Sequence, residues 1–233
     1  GAQDVTAICI LGAPEGVDPI ELDYPRGTDG AAQTKNTFTG DGGPAVGNLF
    51  NRLIYALKFQ STDILFSASI NEKSQILYDR DPITRVQKVA PYLELDNDPY
   101  PSIVDGRIVW IVDGYTLSSN YPYSSLVSLR NAISDTTNSN PRVALDDVNY
   151  IRNSVKATVD AYSGKVTLYA WDDTDPLLQA WQKIYPSTLK PVSDMSADLM
   201  SHVRYPTDLF KVQRAMLGTY HVDDAASFYA RDN

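Results

Sequence analysis

From residue 45 onward, apolar side chains recur at helical spacing, with Val46, Leu49, Phe50, Leu53, Ile54 and Leu57 on one stripe and Asn51, Arg52 and Lys58 off it. That period predicts an amphipathic helix, the clearest in the chain. Ahead of it, residues 5–11 are an apolar run that reads as a short buried strand. The Gly-, Pro- and Asp-rich stretch up to about residue 35 has loop chemistry. Residues 64–70 fit helix or strand, and residues 75–79 read as a strand. Asp81-Pro82 joins a capping carboxylate to a residue suited to a first helical turn, so a helix is expected over residues 82–90.

Further along, the pattern changes period. Residues 102–104 and 107–112 flank Asp105-Gly106, whose residues tolerate the positive backbone angles of a two-residue hairpin turn. Val155, Ala157, Val159 and Ala161 alternate with Lys156, Thr158, Asp160 and Tyr162, and Ser163-Gly164 leads into residues 166–171, a second hairpin. Asp175-Pro176 opens a helix carrying Leu177, Leu178, Trp181 and Ile184. Ser196 caps a short helix ending near residue 203, and Leu209, Phe210, Gln213, Met216, Leu217 and Tyr220 mark a last one. Hairpins flanked by helices, without regular strand–helix alternation, predict an α+β fold, its antiparallel hairpins forming a mixed or antiparallel sheet. One domain is expected over residues 1–233, with a helical C-terminal subregion at 175–233. Residues 117–147 are rich in Ser, Asn and Thr with few large apolar groups, so a mobile surface insertion is expected there.

Composition narrows the partners. The chain has 233 residues, 43% hydrophobic and 21% charged, enough to bury one or two cores without metal or disulfide staples. Its 29 acidic against 20 basic residues give a net charge of −9, a field that repels nucleic acid. No apolar run approaches the roughly 20 residues that cross a bilayer. Cys9 is the lone cysteine, so an internal disulfide is excluded, and Gly1 without a preceding Met reads as a terminus other than the native one.

Candidate chemistry is sparse. Gly40-Asp41-Gly42-Gly43 offers amides ahead of the first helix, but lacks P-loop or GxGxxG spacing and reads as a turn. Asp96 and Asp98, and again Asp172, Asp173 and Asp175, are close enough in sequence to supply calcium ligands; both groups also precede Pro, where Asp serves turns and caps. Calcium is the single metal left open, and no other cofactor is expected. His202 and His221 lack zinc-site spacing, and no GxSxG surrounds a serine, so catalysis has no visible nucleophile. Five tyrosines precede Pro, at Tyr24, Tyr100, Tyr121, Tyr185 and Tyr205, and read as turn packing with recognition as the alternative. Asn149, Arg152 and Asn153, with Lys156, form a polar patch beside the second hairpin that offers hydrogen-bond donors to a ligand or is a solvated strand face. Arg204 and Arg214 are expected to pair with local acids.

Several blocks together carry a resemblance. FNRLIYALKF at 50–59, ILYDRDPITRVQKVAPYL at 76–93, DPYPSIVDGRIVWIVDGYT at 98–116, NYIRNSVKATVDAYSGKVTLYAWDDTDP at 149–176 and HVRYPTDLFKVQ at 202–213, with LDYP at 22–25, resemble uncharacterised protein family 0182. Residues 124–147 carry no recognised block. The resemblance implies a large bacterial membrane protein, multi-pass in the cell membrane, with this chain similar to part of its extracytoplasmic region. It supplies no catalytic residue. The expectation is therefore a non-enzymatic extracytoplasmic domain that packs on its own membrane-spanning region or binds an envelope protein, lipid or glycan. The alternative is an envelope-modifying or transport-coupled enzyme whose dispersed acids meet only in the fold.

Overall fold

The computed structural model describes residues 9–11, 21–24, 34–36, 43–68, 70–136, 138–139, 141–220, 224 and 226. The chain divides into two compact units: residues 1–80 with 162–164, and residues 81–161 with 165–233.

The first unit holds β1 (Cys9–Leu11), β2 (Glu21–Tyr24), β3 (Thr34–Asn36), α1 (Leu49–Phe59), α2 (Thr62–Phe66) and β4 (Gln75–Leu77). β1 pairs antiparallel with β4, as does β2 with β3. The β2–β3 ladder lies where loop chemistry was read; Tyr24 and Thr34 are residue types that favour extended backbone. Residues 5–8 of the expected first strand lie outside the described residues.

Asn48 caps α1 by accepting from the Asn51 amide at 2.7 Å. Its Tyr55, Ala56 and Phe59 pack against Val46, Ile64, Ile70 and Ile76. The predicted apolar stripe turns the other way: Leu49, Phe50 and Leu57 are 74, 70 and 71% exposed. Two apolar faces compete on this helix, and the aromatic one is anchored, with Tyr55 and Phe59 against Tyr78 and the Lys58 ammonium 3.9 Å from the Tyr78 ring centre. Gly43, the described member of the glycine run, sits where any Cβ would overlap the Ile76 carbonyl oxygen, a packing reason for glycine.

The second unit is built on β5 (Glu94–Leu95), β6 (Tyr100–Val104), β7 (Arg107–Ser118), β8 (Val127–Ser128), β9 (Asp147–Val148), β10 (Tyr150–Asp160), β11 (Val166–Ala170) and β12 (Leu189–Pro191). Its helices are α3 (Pro82–Val89), α4 (Leu129–Ile133), α5 (Pro176–Ile184), α6 (Ala197–His202) and α7 (Thr207–Tyr220). The main sheet runs β12-β11-β10-β7-β5, with β6 also on β7; pairings are antiparallel except β11 with β12. It is thus a mixed sheet with flanking helices, an α+β fold. The β6–β7 turn places Asp105 at φ 50° and Gly106 at φ 75°, as two-residue hairpin chemistry requires.

Alternation on β7 and β10 gives the sheet two unlike faces. On one, Val112, Val155, Ala157, Leu168 and Ala170 pack under Val86 and Ala90 of the α3 segment and Leu178 of α5. On the other, Ile111 and Tyr169 pack with Tyr100, Met195 and Leu199. Farther along the strands, Leu117 and Ile151 meet Leu129, Ile133, Val148 and Val212. The stretch expected as a mobile insertion therefore contributes a helix with two buried apolar side chains, Leu129 and Ile133, four residues apart as one helical face requires.

Candidate functional site

Between those two apolar clusters the second face of the sheet is polar. Asp113 and Tyr115 on β7 follow Ile111 at strand spacing, and Lys156 and Asn153 stand opposite them on β10. A register shift between Asn153 and Val155 turns the alternation there. Lys156, 1% exposed, forms an ion pair with Asp113, 4% exposed. Asn153 Nδ2 donates to Asp113 Oδ1 at 3.1 Å and to the Gly114 carbonyl at 3.3 Å. Burial pushes the Asp113 carboxyl above its ordinary value, and Lys156 and Asn153 work against that rise.

Next along the stripe, the Tyr115 hydroxyl donates to Asp96 Oδ2, which also accepts from the Asp208 amide at 2.9 Å. Asp96 Oδ1 accepts from the Asp98 amide at 2.9 Å. Burial, then the neighbouring Asp208 charge, raise the Asp96 carboxyl; Tyr115 is raised too, by burial and by Asp96. Asp208 Oδ2 receives both the Asn97 amide and its side-chain Nδ2, at 2.9 and 2.8 Å. Lys211 lies 3.5 Å from Asp208 and 2.7 Å from Asp135.

These polar groups hold residues 203–209 as a strap. The Arg204 amide donates to the Tyr100 hydroxyl at 2.9 Å, and the Arg204 carbonyl accepts from Lys156 Nζ at 3.1 Å. The Leu209 amide donates to the Tyr115 hydroxyl at 3.2 Å. Strap and sheet enclose a groove of about 700 Å³. Lys156, Asn153 and Trp171 lie on its sheet side; Val203, Arg204 and Tyr205 belong to the strap. The Lys156 ammonium is 5.2 Å from the Trp171 ring centre, and the Arg204 guanidinium lies 4.5 Å over Tyr100. Arg204 has no carboxylate partner among the described residues, contrary to the expectation of a local ion pair.

Of the three binding candidates, Arg152 and Asn153 line the groove. Arg152 also reaches Asp172 at 3.2 Å and Thr174 at 3.3 Å. Asn149 does not join them. Its side chain accepts from the Tyr121 amide at 3.0 Å and donates to the carbonyls of Tyr121 and Ser124 at 2.9 and 3.0 Å, bracing the loop after β7. Lys156 is no part of a solvated face, and its burial could be read only once Asp113 was known to stand opposite. Trp171 and Arg204 carried no ligand signal, and Tyr205 only the recognition alternative of its Tyr-Pro pair, since the groove joins two places distant in sequence.

The calcium candidates separate. Asp96 binds the stripe, and Asp98 Oδ2 accepts from Thr207 at 3.0 Å. Asp172 accepts from the Thr174 amide and hydroxyl at 3.1 and 2.6 Å, and the Asp173 carbonyl accepts from Gln179 at 2.8 Å. Asp175 is wholly buried as the α5 cap, receiving Thr116 at 2.5 Å, Ser154 at 2.6 Å, Tyr150 at 2.6 Å and the amides of Leu177 and Leu178 at 3.1 and 3.3 Å. Among the described residues no three His, Cys, Asp or Glu side chains gather to hold a metal ion. The melting temperature is therefore expected to agree within about 1 °C between chelator and millimolar calcium, since a site occupied a hundredfold above its Kd adds roughly 2.7 kcal/mol. A calorimetric scan in both buffers checks this.

Comparison with known proteins places the chain. Residues 5–233 match the model of the uncharacterised protein family UPF0182. A UPF0182 protein of Clavibacter michiganensis is 63% identical over 224 residues, covering 96% of this chain and 23% of the relative. One from Leifsonia xyli is 62% identical over 231 residues, 99% of this chain and 23% of the relative, and one from Paenarthrobacter aurescens is 59% identical over 227 residues. No solved structure matches. The chain belongs to the UPF0182 family, and spans about a quarter of the length of these relatives.

Proposed function

We propose that this member of UPF0182 is a non-catalytic, extracytoplasmic ligand-binding region of a larger multi-pass membrane protein, and that the groove under the 203–209 strap is its binding site. The observation carrying this reading is the groove itself. It combines apolar walls with charged groups, and its strap is held at four backbone points by buried side chains, which presets its shape. The enzymatic alternative has less support, because the lining carboxylate Asp172 is already engaged by Arg152 and Thr174.

The exposed stripe of α1 supports a second contact, between the first unit and the remainder of the polypeptide. Leu49, Phe50, Leu53, Ile54 and Leu57 form a contiguous apolar face, and the relatives are about four times as long as the aligned segment.

The full-length protein, affinity-purified from native membranes, is expected to bring down a lipid, glycan or protein that a Met200→Trp, Leu209→Trp groove-filling variant loses while retaining its melting temperature. An unchanged set of co-purifying molecules would overturn the groove as the binding site. Exclusion of the chain from labelling by a membrane-impermeant reagent on intact cells would overturn the extracytoplasmic placement.

A further inference from the structure

We propose that the groove takes an anionic amphiphile, one negatively charged headgroup on an aliphatic chain; this rests on the reading of the groove as the binding site. Charge is the first ground. Arg152, Lys156 and Arg204 line it against the single carboxylate Asp172, whereas acids outnumber bases 29 to 20 over the chain. A cationic concavity on an anionic protein concentrates anions at that one place. Asp113 offsets Lys156 and Asp172 pairs with Arg152, so recognition falls first to Arg204. Arg204 is exposed with its guanidinium carbon 4.5 Å over the Tyr100 ring, and its N–H groups can bind a carboxylate or phosphate in bidentate fashion.

The walls supply the second ground. Ile151, Trp171, Met200, Val203 and Leu209 offer aliphatic and aromatic surface along the groove. Two of the neutral side chains present are already engaged: the Tyr205 hydroxyl donates to Gln213 at 2.7 Å, and Asn153 donates to Asp113 and the Gly114 carbonyl. A sugar, which presents many hydroxyls and little apolar surface, leaves these apolar walls unmatched. A charged head with an acyl or alkyl tail matches both halves of the lining.

The test is calorimetric titration of the chain with decyl phosphate below its micelle concentration, alongside decyl maltoside and inorganic phosphate. Decyl phosphate is expected to saturate one site, at least about tenfold tighter than either control, and to weaken with added salt. Arg204→Gln should weaken it by about tenfold or more, with Arg204→Lys partly restoring it, because the strap is held through the backbone of residue 204 and survives both changes. Inorganic phosphate binding as tightly as decyl phosphate would reduce the site to a free-anion site and overturn the amphiphile. Decyl maltoside binding as tightly, and indifferent to Arg204→Gln, would overturn the anionic preference and leave the groove a binding site. No saturable binding of decyl phosphate overturns this inference outright, and the groove reading then stands or falls on the co-purification result.

Discussion

Replacing Lys156 by Met is expected to destabilise the sheet-bearing unit by about 3–5 kcal/mol, the cost of leaving a buried carboxylate without its partner. Asp113 cannot reach water, and Asn153 alone remains to satisfy it. The same substitution removes the donor to the Arg204 carbonyl and so loosens the strap. For a unit of this size the loss corresponds to a fall in Tm of roughly 10 °C. The defect should be pH-dependent with a definite sign. Asp113 already sits above the ordinary 3.8, and losing Lys156 raises it further. A carboxyl raised on folding takes up a proton as the chain folds, so stability falls as pH rises from the unfolded value through the folded one. K156M is therefore expected to regain stability as pH is lowered from 7 towards 5. Changing Asp113 to Leu as well should restore most of the loss at pH 7, since an apolar pair of similar volume replaces a buried ion pair at little cost. Trp110, Trp171 and Trp181 all lie in the second unit, so tryptophan fluorescence during urea unfolding reads this unit alone. A loss below about 1 kcal/mol, or one that deepens in acid, would contradict the account.

The second large effect is expected at Asp175. Its carboxylate joins β7, β10 and the start of α5 by accepting from Thr116, Ser154 and Tyr150 and from two helix amides. Asp175→Ala leaves the buried Thr116 and Ser154 hydroxyls, 3.0 Å apart, with only each other, so that one is short of an acceptor, and α5 without its cap. At about 1–3 kcal/mol for that buried orphan and about 1 kcal/mol for the cap, a total near 3 kcal/mol follows. Burial alone would raise this carboxyl, but the Ser154, Thr116 and Tyr150 hydroxyls and the Leu177 amide together bring it below 3.8. Tyr150, in turn, is raised to about 12 by burial and by its bond to Asp175. A carboxyl depressed on folding contributes stability above its unfolded value and loses it as pH falls through the folded one. The gap between wild type and D175A should therefore be full at pH 7 and narrow below about pH 4, the reverse of the trend expected for K156M. Urea midpoints of both proteins at pH 3 and 7 decide the matter, and a gap that widens in acid would exclude a stabilising carboxylate.

The two carboxylates show why part of this protein was legible and part was not. Asp175 precedes Pro176, and a short polar side chain ahead of a helical proline is a local signal; it forecast the cap correctly and needed no neighbour from elsewhere. Asp81 and Ser196 were readable for the same reason. Nothing local distinguishes Asp113 or Lys156 from the charged residues of a wet strand face. Their burial follows from the strap at 203–209 lying over them, far away in sequence. In the stretch at 117–147 the polar average hid Leu129 and Ile133, which pair at helical spacing and find Ile151 and Val212 only in the folded chain. On α1 the period was right and the facing was not, because periodicity specifies that a stripe exists without saying what it meets.

By itself the sequence determined the period-driven elements: the two hairpins with their Asp-Gly and Ser-Gly turns, the capped helices, the α+β class and the family. Those depend on backbone geometry and on residues within a few positions of one another, where each contact is encoded by spacing. Only the tertiary structure decided which strand face was polar, that Arg152 and Arg204 share one groove, and that five acids close in sequence separate into turns and caps. Those outcomes depend on which groups lose water together, and desolvation is a property of the assembled neighbourhood rather than of any short run of residues.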